Sequence, residues 1–117
     1  MSKIIVYGIP NCDATKKAMA WLGKKKIAFL FHDYKQQGIN KQKLEKWFTL
    51  ADWEMIFNRR STTWRELTAV EQGKITNPAS AIELMIKSNS IIKRPIIEFN
   101  NKLIIGFNEE QYNKQLK

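Results

Sequence analysis

The opening of this chain admits few folds. Lys3-Ile4-Ile5-Val6-Tyr7 reads as a buried strand, Gly8-Ile9-Pro10-Asn11 as a turn, and from Asp13 the apolar spacing becomes helical. Ala14, Ala18, Trp21 and Leu22 fall at i, i+4, i+7 and i+8, one apolar face of a helix reaching about Lys25. Ile27 to Tyr34 then reads as a second strand, rich in aromatics. Strand, helix and strand make a β-α-β unit, whose strands are parallel and joined by a right-handed crossover. A chain that begins this way is committed to an α/β sheet.

The middle, from about Gln36 to Ser90, reads as mostly helical. Asn40 is placed to cap a helix bearing Leu44, Trp47 and Phe48, with Ile39 and Leu44 spaced as a hydrophobic staple. Thr63 and Glu66 have capping-box spacing, which predicts a short helix from Trp64. Asn77-Pro78 is a cap followed by proline at the first helical position. That helix is expected to run to about Lys87 and to bury Ala79, Ile82 and Met85. Pro95 to Phe99 and Lys102 to Ile105 read as strands joined at Asn100-Asn101, since asparagine tolerates the left-handed backbone of a tight hairpin. Asn108 caps a closing helix, with Phe107 and Tyr112 spaced as its staple. The order β-α-β, helices, β-β-α is that of a thioredoxin-like α/β fold with a central helical insertion at about 36–90, one domain over 1–117.

A chain of 117 residues can bury a core without metal or disulfide support. One cysteine and one histidine leave no basis for an intramolecular disulfide or a protein-only metal site. The N-terminus runs straight into a strand and no apolar run approaches membrane-spanning length, so the expectation is a cytoplasmic protein with no membrane partner. The net charge of +9 is spread along the chain, with Lys24-Lys25-Lys26 the one run, at a helix end. With no recognisable nucleic-acid motif, solubility and an anion-seeking site account for it better than nucleic acid as a partner.

Cys12 is the residue that most directly offers chemistry. It lies at the strand-to-helix junction, beside the unpaired N–H groups of a helix start, where the helix dipole favours thiolate over thiol. Lys16 adds positive charge on the same side, whereas Asp13 opposes it.

Tyr7-Gly8-Ile9-Pro10-Asn11-Cys12-Asp13 followed by Lys16-Lys17-Ala18 resembles the active-site segment of the ArsC/Spx family of arsenate-reductase-like proteins. Phe31-His32-Asp33-Tyr34, Arg60-Ser61-Thr62-Thr63-Trp64-Arg65, Ile91-Ile92-Lys93-Arg94-Pro95 and Gly106-Phe107 are similar to its YffB-like branch, in order and over essentially the whole chain. The resemblance implies a thioredoxin-like fold, a nucleophilic Cys12, and a cis Arg94-Pro95 bond that brings Arg94 near Cys12. It implies an oxyanion held by three arginines: Arg94 matches one position directly, Arg60 (or Arg59) a second approximately, and the third falls at about Gly106. Loss of that third fork weakens the case for arsenate and favours a carboxylate, such as a terminus of glutathione.

Position 15 is Thr, so no second cysteine can resolve a mixed disulfide. Any disulfide chemistry is therefore monothiol, with an external thiol such as glutathione as co-substrate and no bound cofactor. Cys12 is the expected nucleophile. Arg60, Arg94, Asn11, Lys16 and Thr15 form the candidate anion-binding set, and Thr15 is placed to hydrogen-bond the thiolate. Arg59, Arg65 and Lys17 read as surface charges, His32 as structural, and the four tryptophans as core or half-buried residues. The expected function is a glutathione-dependent monothiol oxidoreductase, with glutaredoxin or another protein as a possible partner. The alternatives are a non-catalytic Spx-like adaptor binding a protein such as RNA polymerase and, behind it, a true arsenate reductase.

Overall fold

The computed structural model describes residues 3–116, which divide into two compact units. The first holds the described residues up to Gln36 together with those from Arg94 onward; the second is Gln37–Lys93. No helix among the described residues is long and apolar enough to cross a membrane.

In the first unit, β1 (Ile5–Gly8) is followed by α1 (Asp13–Lys24) and β2 (Leu30–Asp33). β3 (Ile96–Phe99), β4 (Lys102–Ile105) and α8 (Glu109–Gln115) complete it. The four strands form one sheet in the order β2-β1-β3-β4. β1 runs parallel to β2, with Tyr7 opposite His32, and antiparallel to β3, with Tyr7 opposite Ile96. The β3–β4 hairpin turns at Asn100 and Asn101, with φ of 49° and 57°, the left-handed pair a two-residue turn needs.

The core of this unit lies on one face of the sheet. Val6, Ile97 and Ile104 from the strands meet Ala18, Trp21 and Leu22 of α1 and Tyr112 and Leu116 near α8. The Trp21 ring stands edge-on to Tyr112 at 5.4 Å, and Phe107 does the same from the other side at 5.1 Å, as its staple spacing predicts. Asn108 Oδ1 accepts the Gln111 N–H and starts α8.

The second unit contains α3 (Lys41–Leu50), α4 (Trp53–Ile56), α5 (Thr62–Glu66), α6 (Ala69–Gly73) and α7 (Pro78–Lys87); α2 (Tyr34–Gln37) leads into it. α3 packs on α7 through buried Leu44, Trp47, Ala81, Ile82 and Met85. The Asn40 and Asn77 side chains cap these two helices, Asn77 in a reciprocal box with Ser80. A short antiparallel bridge pairs Phe57 with Ile92, flanked by Asn58 N–H to Ile91 O at 2.6 Å and Lys93 N–H to Ile56 O at 2.9 Å.

Several expectations shift in detail. Gly8 belongs to β1 rather than to the turn, and β2 is shorter than its apolar pattern, because Tyr34 opens a helical turn. α5 begins at Thr62: the Ser61 hydroxyl caps it by accepting the Trp64 N–H at 3.2 Å. The Thr63 hydroxyl instead meets Ser90 Oγ at 2.6 Å, a tertiary contact that outcompetes the local box. In α7, Ile82 and Met85 are buried as expected, but Ala81 rather than Ala79 completes the inward face.

Leu22 is fully buried in the first unit's core. Leu22→Ala is expected to lose about 3 kcal/mol of stability, and Asn108→Ala about 1 kcal/mol. Urea unfolding reads both as lower midpoints with an unchanged slope.

Candidate active site

α1 starts where β1 ends, and Cys12 is its N-cap, with extended backbone at φ −86° and ψ 123°. The Cys12 N–H donates to Ile9 O at 3.1 Å, closing the turn, and Cys12 O accepts the Lys16 N–H at 2.9 Å. The thiol is half-buried. Burial by itself pushes its pKa up, yet the pKa falls below its ordinary value of 9.0. The Thr15 hydroxyl and N–H, the Arg94 guanidinium and the Ala14 N–H all favour the thiolate and together outweigh burial. None of them closes a regular cap hydrogen bond on Sγ; they act as dipoles and charge converging on it.

Thr15 is fully buried, and its hydroxyl makes no hydrogen bond to another group of the protein. Its dipole is thus left to the sulfur. Gly8 makes room for it: a Cβ there would lie 2.6 Å from Thr15 Oγ1 and 2.8 Å from its Cγ2. The requirement at Gly8 is space for the residue beside the thiol.

Arg94 reaches Cys12 because β3 is antiparallel to β1, so the residues before β3 run beside the loop that follows β1. The Arg94-Pro95 bond is cis, and Pro95 is buried. The same guanidinium is felt at Tyr34. Complete burial, with Tyr7 beside it, holds that phenol well above its usual pKa of 10.0, and Arg94 pulls it partly back. The Tyr7 ring lies tilted against His32 with centroids 4.7 Å apart, the His32 ring lies 6.1 Å from Tyr34, and the Tyr7 hydroxyl donates to buried Glu98 at 3.4 Å. His32 is thus part of an aromatic layer on the sheet.

The first unit brings together Cys12, Thr15 and Arg94. Asn11 is exposed in the turn, and Lys16 and Lys17 are exposed on the first turns of α1. Arg60 belongs to the second unit, exposed on the loop between α4 and α5, where its N–H donates to Asn58 Oδ1 at 3.0 Å. Gly106, the third arginine position implied by the resemblance, has φ of 84°. Its N–H donates to Pro95 O at 2.8 Å and its carbonyl accepts the Tyr112 hydroxyl at 2.7 Å. An arginine in that left-handed conformation is strained, so glycine here is a backbone requirement as well as a missing fork.

The helix-start N–H groups expected beside Cys12 are those of Ala14 and Thr15. Residue-by-residue reading passed over Tyr34, a buried phenol that the Arg94 charge also reaches.

A sheet in the order β2-β1-β3-β4, a helical insertion between β2 and β3, and a lone cysteine capping α1 define a thioredoxin-like α/β thiol protein. The sequence profile of the ArsC family matches residues 7–115. A solved structure of a YffB protein superposes with a TM-score of 0.93 at 38% identity, covering 98% of this chain and all of that one. An uncharacterized protein of Haemophilus influenzae is 39% identical over 93% of this chain and 95% of its own length. The global transcriptional regulator Spx of Streptococcus agalactiae is 33% identical over 92% of this chain and 79% of its own. The chain belongs to the ArsC family, with a YffB protein among its similar structures.

The hydroxyl of Thr15 lowers the thiol pKa more than Arg94 does. Thr15→Val is therefore expected to raise the pKa read from Cys12 alkylation rate against pH, and by more than Arg94→Met. A depressed folded pKa also couples to stability. Thiolate stabilisation is complete above the unfolded thiol pKa and is lost as pH falls through the lower folded value. The stability of wild type relative to Cys12→Ser should accordingly rise with pH across that window, measured by urea unfolding at a series of pH values.

Proposed function

We propose that this chain is a glutathione-linked monothiol oxidoreductase with Cys12 as its nucleophile. The observation that carries this reading is the place of Cys12, half-buried as the N-cap of α1 with buried Thr15 and the Arg94 guanidinium beside it, groups that favour its thiolate. In the first step the Cys12 thiolate attacks the glutathionyl sulfur of a mixed disulfide, R–S–S–G. The Cys12–glutathione disulfide forms, the R–S bond to sulfur breaks, and the leaving thiolate takes a proton from water. In the second step a glutathione thiolate attacks the glutathionyl sulfur now on Cys12. Oxidised glutathione leaves and the Cys12 thiolate returns. The net reaction is a thiol–disulfide exchange in which one glutathione thiol and R–S–S–G become R–SH and oxidised glutathione, with no metal or bound redox group needed.

Arg94 serves two purposes in this scheme. Its charge favours the thiolate, and its fork pairs with a glutathione carboxylate, with Asn11 and Lys16 at the rim; Arg60, exposed in the second unit, is a further candidate for binding an anion. A single arginine fork suits a carboxylate better than a tetrahedral arsenate, and the strained position at Gly106 supports that preference. Glutaredoxin, or a glutathionylated protein, is the corresponding partner.

A second reading is a non-catalytic adaptor like Spx that binds a protein such as RNA polymerase, and what favours it is the similarity to the S. agalactiae regulator. The two readings separate on Cys12. Turnover of a glutathionylated peptide, coupled to glutathione reductase, should fall at least about a hundredfold in Cys12→Ser, as expected for loss of an obligatory nucleophile. Arg94→Ala should raise KM about tenfold, the scale of a charge-assisted hydrogen bond. Full turnover by Cys12→Ser would sink the enzyme reading, and Cys12-independent capture of polymerase would establish the other.

A further inference from the structure

The sheet of the first unit ends on β2 at one side and β4 at the other, and the two edges are built differently. β4 opens on exposed Lys102, a charge within the strand that discourages pairing with another chain. β2 is Leu30-Phe31-His32-Asp33, and its one carboxylate is turned back on the chain, Asp33 Oδ1 accepting the Lys35 N–H at 2.9 Å. Leu30 is 51% exposed, the most open large apolar side chain of this unit among the described residues.

The backbone of β2 has one side to spare. The Leu30 N–H donates to Ile4 O at 2.9 Å. A parallel ladder engages alternate residues of a strand, so Leu30 and His32 spend their backbone groups on β1. Those of Phe29 and Phe31 point away from it.

Beside Leu30 lies an apolar groove of about 640 Å³. Ile4, Ile27, Phe29 and Leu116 line it with Leu30, and Lys3 and Lys26, both exposed, add positive charge. None of the described residues lining it is acidic. Lys24 closes α1 and Lys25 is its C-cap, so the lysine run leads straight into the groove. The groove lies at the amino ends of β1 and β2, whereas Cys12 follows the carboxyl end of β1. The thiol chemistry makes no use of it.

We propose that β2 and this groove form a docking site for an extended acidic segment of another protein, which adds to the sheet as a further strand. The backbone of that segment pairs with the outward groups of Phe29 and Phe31. Its apolar side chains cover Leu30 and fill the groove, and its carboxylates meet Lys3 and Lys26. Charge decides the occupant. A second copy of this chain on the same edge would bring another net charge of +9 against the first. A lone carboxylate amphiphile would fill the groove but leave the Phe31 backbone unpaired.

The test titrates the full chain with a synthetic peptide of alternating valine and threonine ending in glutamates, beside the same peptide ending in lysines and beside laurate. Amide hydrogen exchange at Phe31 reads strand addition directly. The glutamate peptide should slow it about tenfold at saturation, while Leu30 and His32, already bonded to β1, change little. Leu30→Lys should weaken binding about tenfold, the scale of one buried leucine side chain. Lys3→Glu/Lys26→Glu should weaken it about fivefold and turn the preference toward the lysine peptide. Cys12→Ser should bind as tightly as wild type, which keeps this result separate from the thiol-transfer assay. Absence of binding, equal affinity for the two peptides, or binding that leaves Phe31 exchange unchanged would overturn the proposal. So would binding of laurate alone, which marks an amphiphile site, or slowed Phe31 exchange that follows protein concentration without peptide, which marks self-association.

Discussion

The contact of Thr15 with Gly8 ties the chemistry of this protein to its scaffold. β1 is one of the two central strands of the sheet, hydrogen-bonded on both edges, and therefore less free to shift than the edge strands β2 and β4. The first turn of α1 rests on its last residue, close enough that a single methyl group at Gly8 would collide with the Thr15 side chain. That fixes the start of α1 relative to the sheet, and with it the direction of the Ala14 and Thr15 N–H groups and the place of Cys12. Arg94 is delivered by the same sheet, from the residues ahead of β3, the strand on the other side of β1. The thiol environment is thus set by register and by one close backbone approach rather than by a flexible loop.

How much of this could be read in advance depended on the range of the interaction. Asn40, Asn77 and Asn108 announce their helices because a cap is a contact between residues two or three apart. The Asn100-Asn101 turn is legible for the same reason, since its φ values are a property of the residues themselves. Thr63 misleads because its spacing to Glu66 is right for a box, while its hydroxyl has a better partner 27 residues away in Ser90. Ala79 and Ala81 differ only in which side of α7 faces α3, and periodicity without a known neighbour leaves that phase open. In the site, the position of Cys12 at a helix start was legible locally. The approach of Arg94 was implied by the family resemblance, and the burial of Tyr34 and the enclosure of Arg59 by Trp53, Phe57 and Trp64 needed the tertiary structure.

Charge in this chain is abundant, with a net +9, yet the arginines differ sharply in how they are held. Arg65 lies exposed on the last turn of α5, where a cation suits the carbonyl end of a helix. Arg59 spends its charge on three rings and Glu54. Arg94 directs its charge at a thiol and a phenol of the first unit. Net charge therefore says little about function here; what singles out Arg94 is that its field falls on the thiol.

A lowered thiol pKa has opposite effects on the two halves of the proposed cycle, and their balance explains why one cysteine suffices. As attacking group, a thiolate of lower pKa is present in larger fraction but is intrinsically less nucleophilic, so the gain at neutral pH is partial. As leaving group, when glutathione displaces it from the mixed disulfide, a lower pKa is an unmixed advantage. A protein with a second cysteine resolves its own mixed disulfide intramolecularly. With Thr15 in place of such a residue, this chain depends on the second, bimolecular step, the one that Thr15 and Arg94 favour most by stabilising the departing Cys12 thiolate. Under that reading the substitution of a hydroxyl for a thiol at position 15 removes the internal resolver and eases the external one.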